Sequence, residues 1–112
     1  MANLLVGDDV VTVSLSAVEK ADALHGDVSV PRTAVVSARA VPDGMDEVHG
    51  LRMPGTGFPG VIMVGTWRDR QSVTFAVCHG RRPAVVLELT GQPYDRVVIT
   101  VENPDEVVAS LT

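Results

Sequence analysis

Disulfide chemistry is closed to this chain, because it has one cysteine, Cys78. A lone thiol fits a reducing compartment. Aromatic residues are scarce at 4%: one Trp, one Tyr and two Phe. The core must therefore be aliphatic, and no row of rings is available for stacking bases. Cations are outnumbered, nine Lys and Arg against 14 Asp and Glu, for a net charge of -5. That balance opposes binding to phosphate backbones and to anionic lipid headgroups. Arg81-Arg82 is the one adjacent basic pair, and it reads as a solvated hairpin tip. No apolar run approaches the ~20 residues that span a bilayer. The start, Met1-Ala2-Asn3-Leu4-Leu5-Val6, has no basic region and meets Asp8-Asp9, so no signal peptide is expected. These absences imply a cytoplasmic protein with no nucleic-acid and no membrane partner.

What is present is valine-rich and globular. The 112 residues are 46% hydrophobic and 21% charged, which suits a single domain over residues 1–112. Such a chain buries about two thirds of its unfolded surface. Valine's branched Cβ favours strands over helices.

Val11, Val13 and Leu15 alternate with Thr12 and Ser14, the pattern of a half-buried strand. Ser16-Ala17-Val18-Glu19 then forms a capping box and opens a short helix over 17–25, with a strand as the alternative. Val18, Ala21 and Leu24 or His25 share one face of it, and Gly26 stands where a C-terminal cap belongs. Strands are expected at 27–30 and 33–41, followed by a helical turn near 43–48. Further strands are expected at 61–67, around Val73, Phe75 and Val77, around Val85, Leu87 and Leu89, and around Val97, Ile99 and Val101. The short turns between these predict an antiparallel meander and leave no room for crossover helices. Asn103, Pro104 and Glu106 signal the start of a C-terminal helix over 104–112. Its stripe of Val107, Val108 and Leu111 must dock on the sheet, because so short a helix is not stable alone.

Residues 55–60, Gly-Thr-Gly-Phe-Pro-Gly, spell G-x-G-x-x-G. The dinucleotide motif works only where a strand turns into a helix, whose N–H groups hold the pyrophosphate. Here Val61–Trp67 reads as a strand, so the nucleotide reading fails. The segment 50–60 instead reads as a stiff loop. Its glycines allow positive φ and close backbone approach, and its prolines fix φ and remove donors. The bland reading is a tight crossing beneath another strand. The functional reading is a recognition loop of Arg52, Pro54, Gly55, Gly57, Phe58, Pro59 and Gly60, with Phe58 as apolar anchor and Arg52 and Arg68 at its rim. Trp67 either packs under this loop or extends the same patch.

Three stretches resemble a group of small bacterial proteins of pleckstrin-homology-like type. They are Leu15–Lys20 leading to Ala23–Val28 and Val30-Pro31, then Gly50–Gly60, and Tyr94–Val98 leading to Asn103-Pro104. The resemblance spans about residues 10–111. It implies an α+β fold, mainly antiparallel β: a partly open barrel or roll of about seven strands with the two helices named above. A helix at 17–25 departs from the plain first hairpin of that fold. The resemblance brings no catalytic residues with it.

The residues themselves offer no reactive set either. Cys78 and His79 are adjacent on a strand and point to opposite faces, so they make no nucleophile–base pair. His25, His49 and His79 lack metal-ligand spacing. Asp43, Asp46 and Glu47 lack the ordered oxygens of a calcium loop and read as a solvated turn. Tyr94 reads as folding its ring onto the barrel, with Arg96 pairing nearby. No catalytic, cofactor-binding or metal-binding residue is assigned, and no cofactor is expected. The expectation is a non-enzymatic binding or assembly module. It would contact a protein partner or itself, as a homo-oligomer, through sheet edges and the 50–60 loop. The alternative is a small-molecule binder or enzyme using the glycine-rich loop on an anionic ligand. Lipid-headgroup binding would follow from the fold name alone and is opposed by the charge.

Overall fold

The computed structural model describes residues 2–111. Nine strands and two helices follow in the order β1 (Asn3–Val6), β2 (Val10–Ser14), α1 (Ala17–Ala23), β3 (Val28–Pro31), β4 (Val35–Val41), β5 (Leu51–Phe58), β6 (Ile62–Arg68), β7 (Val73–His79), β8 (Ala84–Leu89), β9 (Arg96–Thr100) and α2 (Pro104–Leu111). Short 3-10 turns occupy Arg32–Ala34 and Gly44–Glu47. The strands form two sheets, β1-β2-β3 and β4-β8-β9-β7-β6-β5, and neither closes into a barrel. The fold is α+β and mainly antiparallel, with the short first helix and the C-terminal helix that the sequence implied. The final residue of the expected 104–112 helix lies outside the described residues.

The two sheets pack through one main core. Val11 and Val13 of β2 and Val28 and Val30 of β3 meet Val64, Phe75, Val77, Val85, Leu87, Val97 and Ile99 of the large sheet. Val107, Val108 and Leu111 dock the short helix α2 against this core, as its apolar stripe requires. The other face of the large sheet is also buried. There Val41, Met45 and Val48 cover Trp67, Ala76, Cys78, Ala84, Val86 and Val98.

That second core overturns the expected meander. β9 lies between β7 and β8, parallel to β7 and antiparallel to β8. Reading only alternate residues as inward overlooked Ala76, Cys78, Val86 and Val98, which are equally buried on the reverse face. A strand apolar on both faces belongs in the middle of a covered sheet, and Val97-Val98-Ile99 is such a strand.

Two local readings are also corrected. The helix α1 turns Glu19 and Ala23 inward, while Val18 and Leu24 are exposed. Its C-terminal cap is Leu24, left-handed at φ 52, and not Gly26. The expected loop at 50–60 is largely strand β5, an edge strand paired with β6. Glycine and proline count against a strand, but an edge and a bulge tolerate both. The register slips between Arg52 and Gly55, around Pro54. Gly55 (φ 149) and Gly65 (φ 144) face each other there. A Cβ on Gly65 would lie 2.5 Å from the Gly55 Cα, and one on Gly55 would lie 2.6 Å from the Val64 carbonyl oxygen. The close backbone approach expected of these glycines is therefore real, although it joins two paired strands.

Candidate functional site

The β5–β6 hairpin closes through Phe58-Pro59-Gly60-Val61, where the Val61 N–H donates to the Phe58 carbonyl at 2.9 Å. Proline second and glycine third, at φ 84, is the signature of a type II turn. The Thr56 hydroxyl donates to the Asp22 carbonyl at 2.9 Å and ties the hairpin to α1. Phe58 is 63% exposed and points outward. Val61 is exposed beside it.

The nine residues expected to form one interaction loop do not form one patch. Phe58, Pro59 and Gly60 make the tip. Arg68 lies at the opposite end, paired with Leu51, roughly 20 Å away at about 3.3 Å per residue. Arg52 folds back so that its Nη1 donates to the Gly57 carbonyl at 3.2 Å. Trp67 is buried in the second core, not part of a contact surface. Its Cζ2 would lie 3.3 Å from a Cβ on Gly57, so the indole packs under the strand. Pro54 and Gly55 form the bulge.

Between α1 and the hairpin tip runs a groove of about 700 Å³ lined by Val18, Glu19, Val61, Ile62, His79 and Arg82, among others. Sequence reading missed what lies at its floor. Glu19 is 2% exposed, and its carboxylate accepts from the Ala2 N–H (2.9 Å), the Ser16 N–H (2.9 Å) and His79 Nε2 (2.6 Å). Burial opposes its ionisation, but the Ser16 N–H, His79, the Ala2 N–H and the Ser16 hydroxyl together hold its pKa below the ordinary value of 4.5. The His79 ring remains 27% exposed. Its backbone is fixed by the N–H donating to Thr100 Oγ1 at 3.1 Å. The only signal for this pair was the capping box, which does form: Glu19 Oε1 accepts from the Ser16 N–H at 2.9 Å, and the Glu19 N–H donates to Ser16 Oγ at 3.2 Å.

The other sequence candidates fall elsewhere. Cys78 is fully buried on the face opposite Val77, and burial pushes its thiol up to about 12. His25 joins an aromatic cluster with Phe75 and Tyr94, each ring centroid 5.3 Å or 5.9 Å from the next. The Tyr94 hydroxyl is 2.7 Å from His25 Nε2. Because His25 Nδ1 sits 2.8 Å from the Gly26 carbonyl, which only accepts, Nδ1 carries a proton. His25 and His79 thus serve separate contacts, and among the described residues no group of three His, Cys, Asp or Glu side chains could hold a metal ion. The acidic turn is paired and not merely solvated. Arg81 bonds Asp43 (2.8 Å) and Asp46 (3.0 Å), and Arg39 bonds Glu47 (2.6 Å). Arg96 pairs with Glu88 at 3.0 Å.

Comparison of the chain with protein-family models, with curated proteins and with solved structures finds no match. No helix among the described residues is long and apolar enough to cross a membrane.

Proposed function

We propose that this protein is a non-enzymatic binding or assembly module whose contact element is the β5–β6 hairpin. One observation carries the reading. Of the eight large apolar side chains left exposed among the described residues, three, Leu51, Phe58 and Val61, belong to this edge hairpin. Exposed apolar groups on one projecting element are what a partner would cover. The manner of contact follows from the backbone. An open edge invites a further strand, but a proline and a bulge interrupt the outer edge of β5. Contact through side chains at the two hairpin ends is therefore favoured over extension of the ladder. Light scattering over a concentration series tests this, with Leu51→Ser, Phe58→Ser and Val61→Ser combined in one variant. Self-association by the parent chain and a monomeric variant are expected. A parent chain that stays monomeric throughout contradicts the self-assembly form of the proposal.

The pleckstrin-homology-like assignment belongs to this proposal too. Two packed, mainly antiparallel sheets followed by a docked C-terminal helix support it, and α1 between β2 and β3 and the parallel β7–β9 pair are its points of departure.

A second reading, a small-ligand site, is favoured by the groove beside α1. Its volume is in the range of ligand pockets, and the buried Glu19 holds the half-exposed His79 ring in one orientation. Of the glycine-rich segment only the last glycine, Gly60, borders this groove, whereas Gly55 is packed against Gly65. A thermal-shift screen of small anionic ligands with no stabilising hit would remove this reading.

A further inference from the structure

The base of the hairpin has chemistry of its own. Leu51 is 72% exposed and pairs across the ladder with Arg68, so the two share a sheet face. With Gly50, Asp69 and Arg70 they border a concavity of about 610 Å³. Arg68 and Arg70 have no acidic partner among the described residues, whereas Lys20, Arg39, Arg81 and Arg96 do, and Arg32 and Arg52 bond backbone carbonyls. Arg82, likewise without an acidic partner among the described residues, lies at the other end of β6 beside the α1 groove. The two carboxylates at this end are turned onto backbone. Asp69 Oδ1 accepts from the Gln71 and Ser72 N–H groups (2.8 and 2.7 Å), and Asp95 Oδ2 from the Val73 N–H (2.8 Å).

A complementary surface exists on the same chain. Glu102, Asp105 and Glu106 are exposed and make no ion pair among the described residues. They stand at the start of α2, beside Leu5, which is 54% exposed. A groove of about 430 Å³ runs there between β1 and α2. The two surfaces are diagonally opposed. β5 is one outer strand of the large sheet; α2 packs along β4, the other. Along the strands, Arg68 is level with Val73, while the start of α2 follows Thr100, level with Ala84 and Val41. They cannot meet within one chain.

We propose that the Arg68–Leu51–Arg70 corner docks the acidic α2 corner of a second copy, head to tail. This rests on the assembly reading and names its partner. Two free arginines face three free carboxylates, and Leu51 faces Leu5, giving an apolar centre with a charged rim. The two patches differ, so the contact is heterologous and can repeat along a row of copies. The net charge of -5 makes copies repel in general. Local complementarity at this corner gives them one favourable orientation.

The test is sedimentation velocity on the full chain at low and high salt. It uses two double variants, Arg68→Glu with Arg70→Glu, and Glu102→Lys with Glu106→Lys. All four side chains are exposed, so both variants should melt as the parent does. The parent chain should associate at low salt and dissociate as salt rises. Each variant alone should associate roughly tenfold or more weakly. An equimolar mixture of the two should recover association, because one now carries two acidic corners and the other two basic ones. Parent association that ignores salt and both charge reversals overturns the proposal but leaves assembly through Phe58 standing. A mixture that stays monomeric also overturns it. A parent chain that is monomeric throughout overturns both. Binding of DNA or anionic vesicles that is lost in Arg68→Glu with Arg70→Glu, without self-association, assigns the corner to a polyanion and overturns the proposal.

Discussion

His79 Nε2 and Glu19 Oε2 lie 2.6 Å apart although 60 positions separate them. This contact joins the end of β7 to the first turn of α1, and through the Ala2 N–H it also holds the start of the chain. It explains why a helix of seven residues, unstable alone, has a fixed place beside the hairpin.

Glu19→Gln should therefore destabilise the fold by about 2 kcal/mol or more, because a buried donor then meets another donor. The pH dependence has a definite sign. The folded pKa of Glu19 lies below its ordinary value, so its charge stabilises the fold above the unfolded carboxylate range. That contribution is lost as pH falls through the lower folded value. Acid titrations followed by circular dichroism should show a shallower acid limb in Glu19→Gln. Identical limbs would count against the role given to this carboxylate.

Leu24 holds a left-handed cap at φ 52 with its side chain exposed. Glycine takes that conformation without strain, and Leu24 has no burial to lose. Leu24→Gly should stabilise the protein by about 0.5–1 kcal/mol, seen as a raised melting temperature. A lowered one would mean that Leu24 is covered.

The Gly55–Gly65 approach leaves no room for a methyl group on either residue. Gly65→Ala should cost about 2 kcal/mol or more, because it combines a backbone clash with an unfavourable φ. Hydrogen exchange should quicken across β5 and β6 first. A neutral substitution would contradict the bulge geometry.

Cys78 should resist thiol reagents in the native state, since only the thiolate reacts and burial lifts its pKa to about 12. Denaturant should expose one reactive thiol. Fast native labelling would place Cys78 nearer solvent than the second core does.

Local signals were legible in the sequence where they acted locally. The alternation of β2, the capping box of α1 and the apolar stripe of α2 each reflect a rule that operates within a few residues. The failed nucleotide motif was legible as well, because β6 follows where a helix is required. What escaped depended on distant partners. The place of β9 between β7 and β8 is set by burial on two faces, and short turns alone suit neighbours equally well. The strand character of β5 was hidden by glycines and prolines whose use becomes evident only against Gly65. The Glu19–His79 pair was hidden by a sufficient local explanation for Glu19. The segment holding the candidate residues stood out in the sequence, but their separation into tip, base and underside required the hairpin.

If the β5–β6 hairpin is the contact element, association must cover it. Hydrogen–deuterium exchange at low and high protein concentration tests it most directly. Added protection at high concentration is expected within residues 50–61 and 68–70, with β4, the other outer strand of the large sheet, unchanged. Protection gained at β4 alone, or none that depends on concentration, would contradict it.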